Sequence, residues 1–231
     1  MKHITVLTGA GISAESGIST FRDSNGLWEN HDVMDVASPQ GWKKDQELVI
    51  DFYNQRRKQL KTVFPNKGHK ALVELEKKYQ VHIVTQNVDN LHEQAGSSHI
   101  LHLHGELTKV RSTLDQSLVY DWTEDLNVGD LCDKGAQLRP HIVWFGEDVP
   151  LLQTAAMLTA KANIVLIIGT SMNVYPAAGL VAYAQPGASI YYIDPNPNIS
   201  YELAGLKNLT VIKEKGSVGV PKLVAELIEG S

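Results

Sequence analysis

The chain has 231 residues, 43% of them hydrophobic and 20% charged: enough for one large domain or one domain with an insert, and too apolar for wholesale disorder. Its net charge of −5 argues against a non-specific nucleic-acid binder, which carries a basic footprint. A single cysteine, Cys132, excludes a disulfide framework and any zinc site built on two cysteines, and no run of about 18 apolar residues could span a membrane. The first residues run straight into a glycine turn without a signal-peptide pattern, so the chain reads as cytoplasmic and not membrane-bound.

Apolar runs alternate with helical patterns along the chain. Strands are expected at His3–Thr8, Val81–Thr85, Asn163–Gly169, Ser189–Ile193 and Leu209–Ile212, with helices at Gly68–Lys78, Leu151–Lys161, Ala177–Ala184 and Val220–Glu229. Ile164 to Ile168 is five branched or leucine residues in a row, as for a strand buried on both faces. The pattern predicts an α/β fold: a Rossmann-like parallel sheet with helices on both faces, plus a small inserted lobe. The first two strands are too far apart for a simple βαβ unit, and a second irregular stretch follows the second strand. The expected division is a large part over 1–25, 67–106 and 149–231 and a small lobe over 26–66 and 107–148, in one 231-residue unit.

Candidate site residues cluster just past the strand ends. Gly9-Ala10-Gly11-Ile12-Ser13-Ala14 fits a G-x-G-x-x-A turn, whose bare backbone lets N–H groups approach a pyrophosphate; a glycine turn that merely closes a strand reads the same way. The usual acidic ribose partner about 20 residues on is not cleanly placed, so a dinucleotide here would bind differently from that of a dehydrogenase. Gly17, Ile18 and Thr20 weaken a continuing helix and favour a loop over the ligand, with Phe21 as a cover and Arg22 as a phosphate or ribose contact. Gln86, Asn87 and Asp89 follow the second strand, where open α/β sheets bind ligands; Asn87 or Asp89 could equally cap the next helix. His102 and His104 share one face of an extended segment without an evident third metal ligand, and His104 beside Gly105 is suited to act as a general base. Gly169-Thr170-Ser171 and Asp194-Pro195-Asn196 end two further strands, and the convergence of these ends on one rim argues for a nucleotide site.

Taken together, these residues resemble the sirtuin family of NAD-dependent protein lysine deacylases, over essentially the whole chain. The motifs that carry the resemblance are Gly9 to Arg22, Thr85-Gln86-Asn87-Val88-Asp89, Leu103-His104-Gly105, Gly169-Thr170-Ser171 and Leu138 to Glu147, with Ser19 where proline is common. The resemblance implies that NAD is a consumed co-substrate. Nicotinamide leaves as the acyl oxygen attacks the ribose to give an alkylimidate. His104 deprotonates a ribose hydroxyl that attacks this intermediate, and hydrolysis by water releases free lysine and O-acyl-ADP-ribose. It assigns Gln86, Asn87 and Asp89 to nicotinamide and its ribose, adds Val218 to the cofactor contacts, and gives Val143, Phe145 and Gly146 to a segment that pairs with the acyl-lysine peptide. Tyr53 and Arg56, spaced to share a helix face, suit a carboxylate. The same Tyr-x-x-Arg marks sirtuins that remove succinyl and malonyl groups, with deacetylation retained.

Departures from the family pattern are informative. Most sirtuins bind zinc through two Cys-x-x-Cys pairs; here Ser112 and Asp115 stand at the first pair, Leu131 and Lys134 at the second, and Cys132 falls beside them. Zinc is therefore not expected, and the lobe must be held by packing around Tyr120, Trp122 and Leu126. Asp194 stands where an asparagine touching the adenosine ribose is frequent, and a carboxylate can accept the same bonds. The expected partners are acyl-lysine proteins or peptides and no nucleic acid or membrane; oligomeric state is not readable. A catalytically silent NAD sensor and an NAD hydrolase or ADP-ribosyltransferase are the rival readings.

Overall fold

The computed structural model describes residues 1–19 and 27–230. In chain order the elements are β1 (His3–Thr8), two 3-10 turns (Ala10–Ile12 and Ala14–Ser16), β2 (Leu27–Trp28), β3 (His31–Asp32), α1 (Val33–Val36), α2 (Pro39–Lys44), α3 (Gln46–Leu60) and α4 (Lys67–Leu75). There follow β4 (Gln80–Thr85), α5 (Leu91–Ala95), β5 (Ile100–His102), β6 (Gly105–Ser112), β7 (Val119–Asp121) and β8 (Leu138–Ile142). The chain continues through α6 (Leu152–Lys161), β9 (Ile164–Ile168), a 3-10 helix (Ala177–Tyr183), β10 (Ser189–Ile193), α7 (Tyr201–Ala204), β11 (Leu209–Ile212) and α8 (Gly216–Glu229).

The main sheet has strand order β11-β10-β9-β1-β4-β5, and every pairing in it is parallel. Side chains alternate across it. Ile4 and Val6 pack with Leu72 and Leu75 of α4 and Leu223 and Val224 of α8, while Leu7 and Val165 pack on the other face with Ala155 of α6 and Leu180 of the 3-10 helix. A second group of elements joins the antiparallel sheet β7-β6-β8 to α1–α3 through Val36, Phe52, Leu107 and Trp144. Ile50, Val110, Leu126, Cys132 and Leu138 form a further cluster, with Trp122 and Tyr120 against it.

Three local expectations are corrected. The segment after Pro176 is a 3-10 helix and not an α-helix, because Gly179 sits inside it and Pro186 stops it soon after. Helix α8 begins at Gly216, ahead of the expected Val220. The Glu15 carboxylate accepts from Ser217 N and Oγ at 3.0 and 2.7 Å and supports this earlier turn, which leaves Pro221 inside the helix. The short strand β5 extends the sheet beyond the five strands expected.

His69 lies fully buried at the start of α4, with Nδ1 accepting from Asn66 N. Burial pushes its pKa down to about 4. Between about 4 and the unfolded value of about 6.5 only the unfolded chain takes up this proton, so stability is lost as pH falls through that window. Denaturant titrations from pH 7 to 4.5 should show a loss of about 1.4 kcal/mol per pH unit from this group once pH is well below the unfolded value. The slope should flatten in His69→Gln; an equal slope in both proteins overturns the assignment.

Candidate active site

The sheet order reverses direction at β1, with β4 on one side and β9 on the other, and ligands bind outside the carboxyl ends of parallel strands at such a point. Thr8 is level with Thr85 and Ile168, and Ile168 with Ile193, so four strands release their loops at one rim. A cavity of about 930 Å³ opens there. Its wall includes Gly9, Ala10, Gly11 and Ala14 from the first turn, Gln86, Asn87 and Asp89 from the second, His104, Gly169, Thr170, Ser171, Asp194 and Asn196, and Val143, Phe145 and Gly146 opposite.

The glycine turn is built by collision avoidance. A Cβ on Gly11 would lie 2.6 Å from Gly169 Cα, and one on Gly9 2.8 Å from the Gly169 oxygen. Gly169 has φ +59, a left-handed conformation that also favours glycine. Gly9 N donates to Ile168 O at 3.1 Å and Gly11 N to Gly169 O at 2.7 Å. Two of the N–H groups expected to face a pyrophosphate are thus engaged by β9 and its loop, and the chain goes on as two 3-10 turns.

Asn87 is tied on several sides. Its N accepts nothing and donates to Thr85 Oγ1 at 3.0 Å, while Nδ2 donates to Gly9 O and Ser13 Oγ, both at 3.2 Å. Asp89 is 5% exposed and accepts from Leu91 N at 3.1 Å. Burial pushes its pKa up, opposed by Leu91 N–H and the Ser13 hydroxyl. His104 Nδ1 lies 3.1 Å from the Gln86 carbonyl, which can only accept, so Nδ1 carries the proton and Nε2 is the basic nitrogen. Burial lowers the His104 pKa against the pull of that carbonyl, keeping the ring neutral at pH 7.

The opposite wall hangs from one carboxylate. Glu147 binds Arg139 Nη1 at 2.7 Å, Arg111 Nη2 at 3.1 Å and Trp144 N at 2.8 Å. The Arg139 guanidinium stacks 3.2 Å over the Trp144 ring, and Trp144 Nε1 donates to Tyr53 OH at 3.0 Å. Val143 N donates to His104 O at 2.9 Å, joining this wall to the histidine.

Four anticipated residues are not on the cavity wall. Ser13 is buried one layer beneath it, bonded to Asn87; Tyr53 is fully buried behind Trp144; Arg56 is partly buried on α3; Val218 is 40% exposed on α8. Phe21 and Arg22 lie outside the described residues. The wall also includes Trp28, Val88, Tyr175 and Lys215, none of them singled out above; Val88 lies inside a motif, whereas Lys215 carries no sequence signal. Among the described residues no group of three or more His, Cys, Asp or Glu side chains could hold a metal ion. At the positions of the absent cysteines, Cys132 Sγ donates to Ser112 Oγ at 3.2 Å and Lys134 pairs with Asp115 at 2.8 Å.

The Sir2 family model matches residues 9–176. The chain belongs to the Sir2 family. It is 59% identical over 229 residues to a protein of Helicobacter pylori (strain J99 / ATCC 700824) named NAD-dependent protein deacylase, covering 99% of this chain and 97% of that one. A Bacteroides thetaiotaomicron protein of the same name is 53% identical over 234 residues, with 99% of each chain covered. Among solved structures, a Sir2 homolog–NAD complex superposes with a TM-score of 0.87 at 37% identity, covering 99% of this chain and 90% of that one.

Gly11→Ala in this Sir2-family chain should cost about 1–3 kcal/mol, because the new Cβ meets backbone that cannot yield. Gly187→Ala, which meets nothing within 4 Å, should leave the melting temperature within a degree or so of the parent. Equal melting temperatures for the two variants overturn the close-packing account.

Proposed function

We propose that this chain is an NAD-dependent protein lysine deacylase that removes succinyl and malonyl groups and also acetyl groups, giving nicotinamide, O-acyl-ADP-ribose and free lysine. The observation that carries the reading is the meeting of His104, Asn87 and Asp89 with the Val143–Gly146 segment on one cavity at the sheet's switch point. NAD fits this rim: the cavity of about 930 Å³ is floored by the Gly9–Gly11 and Gly169–Ser171 turns, and Asn87 and Asp89 lie on its wall toward a ribose and a carboxamide. NAD supplies an ADP-ribosyl group whose bond to nicotinamide breaks in the reaction.

The protein's part follows from its own groups. Gly9, Ala10, Gly11, Ala14, Gly169, Thr170 and Ser171 shape the phosphate and ribose side, with Asp194 and Asn196 at the far end. Gln86, Asn87 and Asp89 orient the nicotinamide end, with Ser13 supporting Asn87. His104 Nε2 takes the proton from a ribose hydroxyl. Val143, Phe145 and Gly146 receive the peptide backbone, and basic protein segments suit the chain's net charge of −5.

The acidic acyl preference rests on Arg56. Its guanidinium stacks 5.1 Å from the Phe52 ring centroid, and its Nε and Nη1 are buried with no hydrogen-bond partner among the described residues. Burial lowers its pKa, against the pull of Glu29 and Asp51; Arg56 lies off the cavity wall, and an acyl carboxylate that reached it through a shift of the intervening side chains would supply the missing acceptors. Tyr53 OH accepts from Trp144 and keeps its own proton to donate.

Mass spectrometry of NAD reactions on matched acetyl-lysine and succinyl-lysine peptides tests this reading. Succinyl should be removed faster, and Arg56→Met should lose about tenfold or more on succinyl alone. Faster acetyl removal with Arg56 irrelevant leaves an ordinary deacetylase. Because its imidazole must be neutral to accept a proton, kcat/KM should fall on the acid side, with a midpoint below about 6.5. His104→Ala should abolish turnover while NAD still binds by calorimetry; retained turnover removes His104 from the role of base.

A further inference from the structure

Two histidines on either side of Leu103 stand against successive carbonyls of the Gln86–Asp89 segment, in opposite protonation states. His104 has one such acceptor, Gln86 O, at its Nδ1. His102 has two: Asn87 O lies 3.0 Å from Nδ1 and Glu93 Oε1 lies 2.7 Å from Nε2. A carbonyl accepts only, and so does an ionised carboxylate, so both nitrogens of His102 carry protons and the ring is an imidazolium. We propose that His102, kept charged by Glu93, is a positioning residue that holds the Asn87 carbonyl and thereby aims the Asn87 and Asp89 side chains at NAD. The proposal rests on the assignment of Asn87 and Asp89 to NAD made above.

The placement makes the clamp effective. Glu93 comes from α5 and His102 from β5, while Asn87 lies in the loop that leaves β4 for α5. Thr85 is level with His102, so the ring closes the loop against the adjoining strand. The His102 side chain is 8% exposed and that of Glu93 39%, which takes much of this charge-assisted bond out of water.

The charged surroundings agree. Burial opposes the charge on His102, but the Glu93 hydrogen bond and charge, Glu106 and the Asn87 carbonyl outweigh it and hold the pKa above its usual value. Asp89 also feels the His102 charge, Lys109 lies near Glu93 and pairs with Glu106 at 2.9 Å, and buried His92 is kept neutral beside them. A raised folded pKa means that the clamp is complete below about 6.5 and is lost as pH climbs through the folded value. NAD affinity should therefore weaken on the alkaline side.

Long-range proton–nitrogen correlation spectra of histidine-labelled protein read the charge directly, and calorimetry with NAD alone reads its consequence. His102 should be doubly protonated at pH 7 in the parent and titrate below about 6.5 in Glu93→Gln. NAD affinity should fall about threefold to tenfold in Glu93→Gln and about tenfold or more in His102→Ala. Glu93→Gln keeps the shape of the pair, so it separates loss of the clamp from loss of the fold. A singly protonated His102 at pH 7, or NAD affinity within about twofold of the parent in both variants, overturns the proposal. NAD binding without any deacylation would instead overturn the proposed function and leave this clamp standing.

Discussion

The backbone contact between Gly11 and Gly169 is the constraint on which the site depends. Strands β1 and β9 are adjacent, parallel and level at Thr8 and Ile168, so the loops that leave them start less than a side chain's width apart. Only bare backbone lets them pass, and Gly11 N binds Gly169 O at 2.7 Å. Once the turns touch, the chain after β1 runs in two 3-10 turns rather than a full helix, bringing Ser13 beneath Asn87. The close approach of these two turns forms one side of the cavity.

The facing wall depends on buried polar geometry of another kind. Glu147 gathers Arg111 from β6, Arg139 from β8 and the Trp144 backbone into one network. Removing charges from water is costly, so such a network contributes fixed geometry more than net stability. On α3, Arg57 Nε donates to Leu107 O at 3.0 Å, and Asn54 exchanges two hydrogen bonds with the Leu126 backbone at 2.9 Å each. These cross-links, with the Trp122 and Leu126 packing, tie the antiparallel sheet and its loop to α3. The Lys134–Asp115 pair is largely exposed and adds little.

Protonation is divided among the buried histidines by what each ring faces. His104 has one acceptor and a partly buried setting and stays neutral; His102 has two acceptors and is charged; His92 and His69 pack ring to ring with no carboxylate bonded to either among the described residues and are neutral. Environments that push neighbouring pKa values apart are a mark of acid–base chemistry. Composition cannot reveal them, because the same residue type takes either protonation state.

Much was legible in the order of residues alone. The branched run Ile164–Ile168, the glycine turn after Thr8 and the polar residues after Thr85 mark buried strands and their carboxyl ends through local propensity and sterics, which need no partner. Strand order, and with it the switch point at β1, came from long-range pairing that no local signal encodes. Tertiary packing also set Tyr53 behind Trp144, brought Lys215 to the wall and moved the start of α8 to the Glu15 carboxylate. The sequence by itself determined which segments are strands and which residue types stand at their ends. Which of those ends meet, and which proton each buried histidine keeps, was decided only when distant segments closed around one another and excluded water.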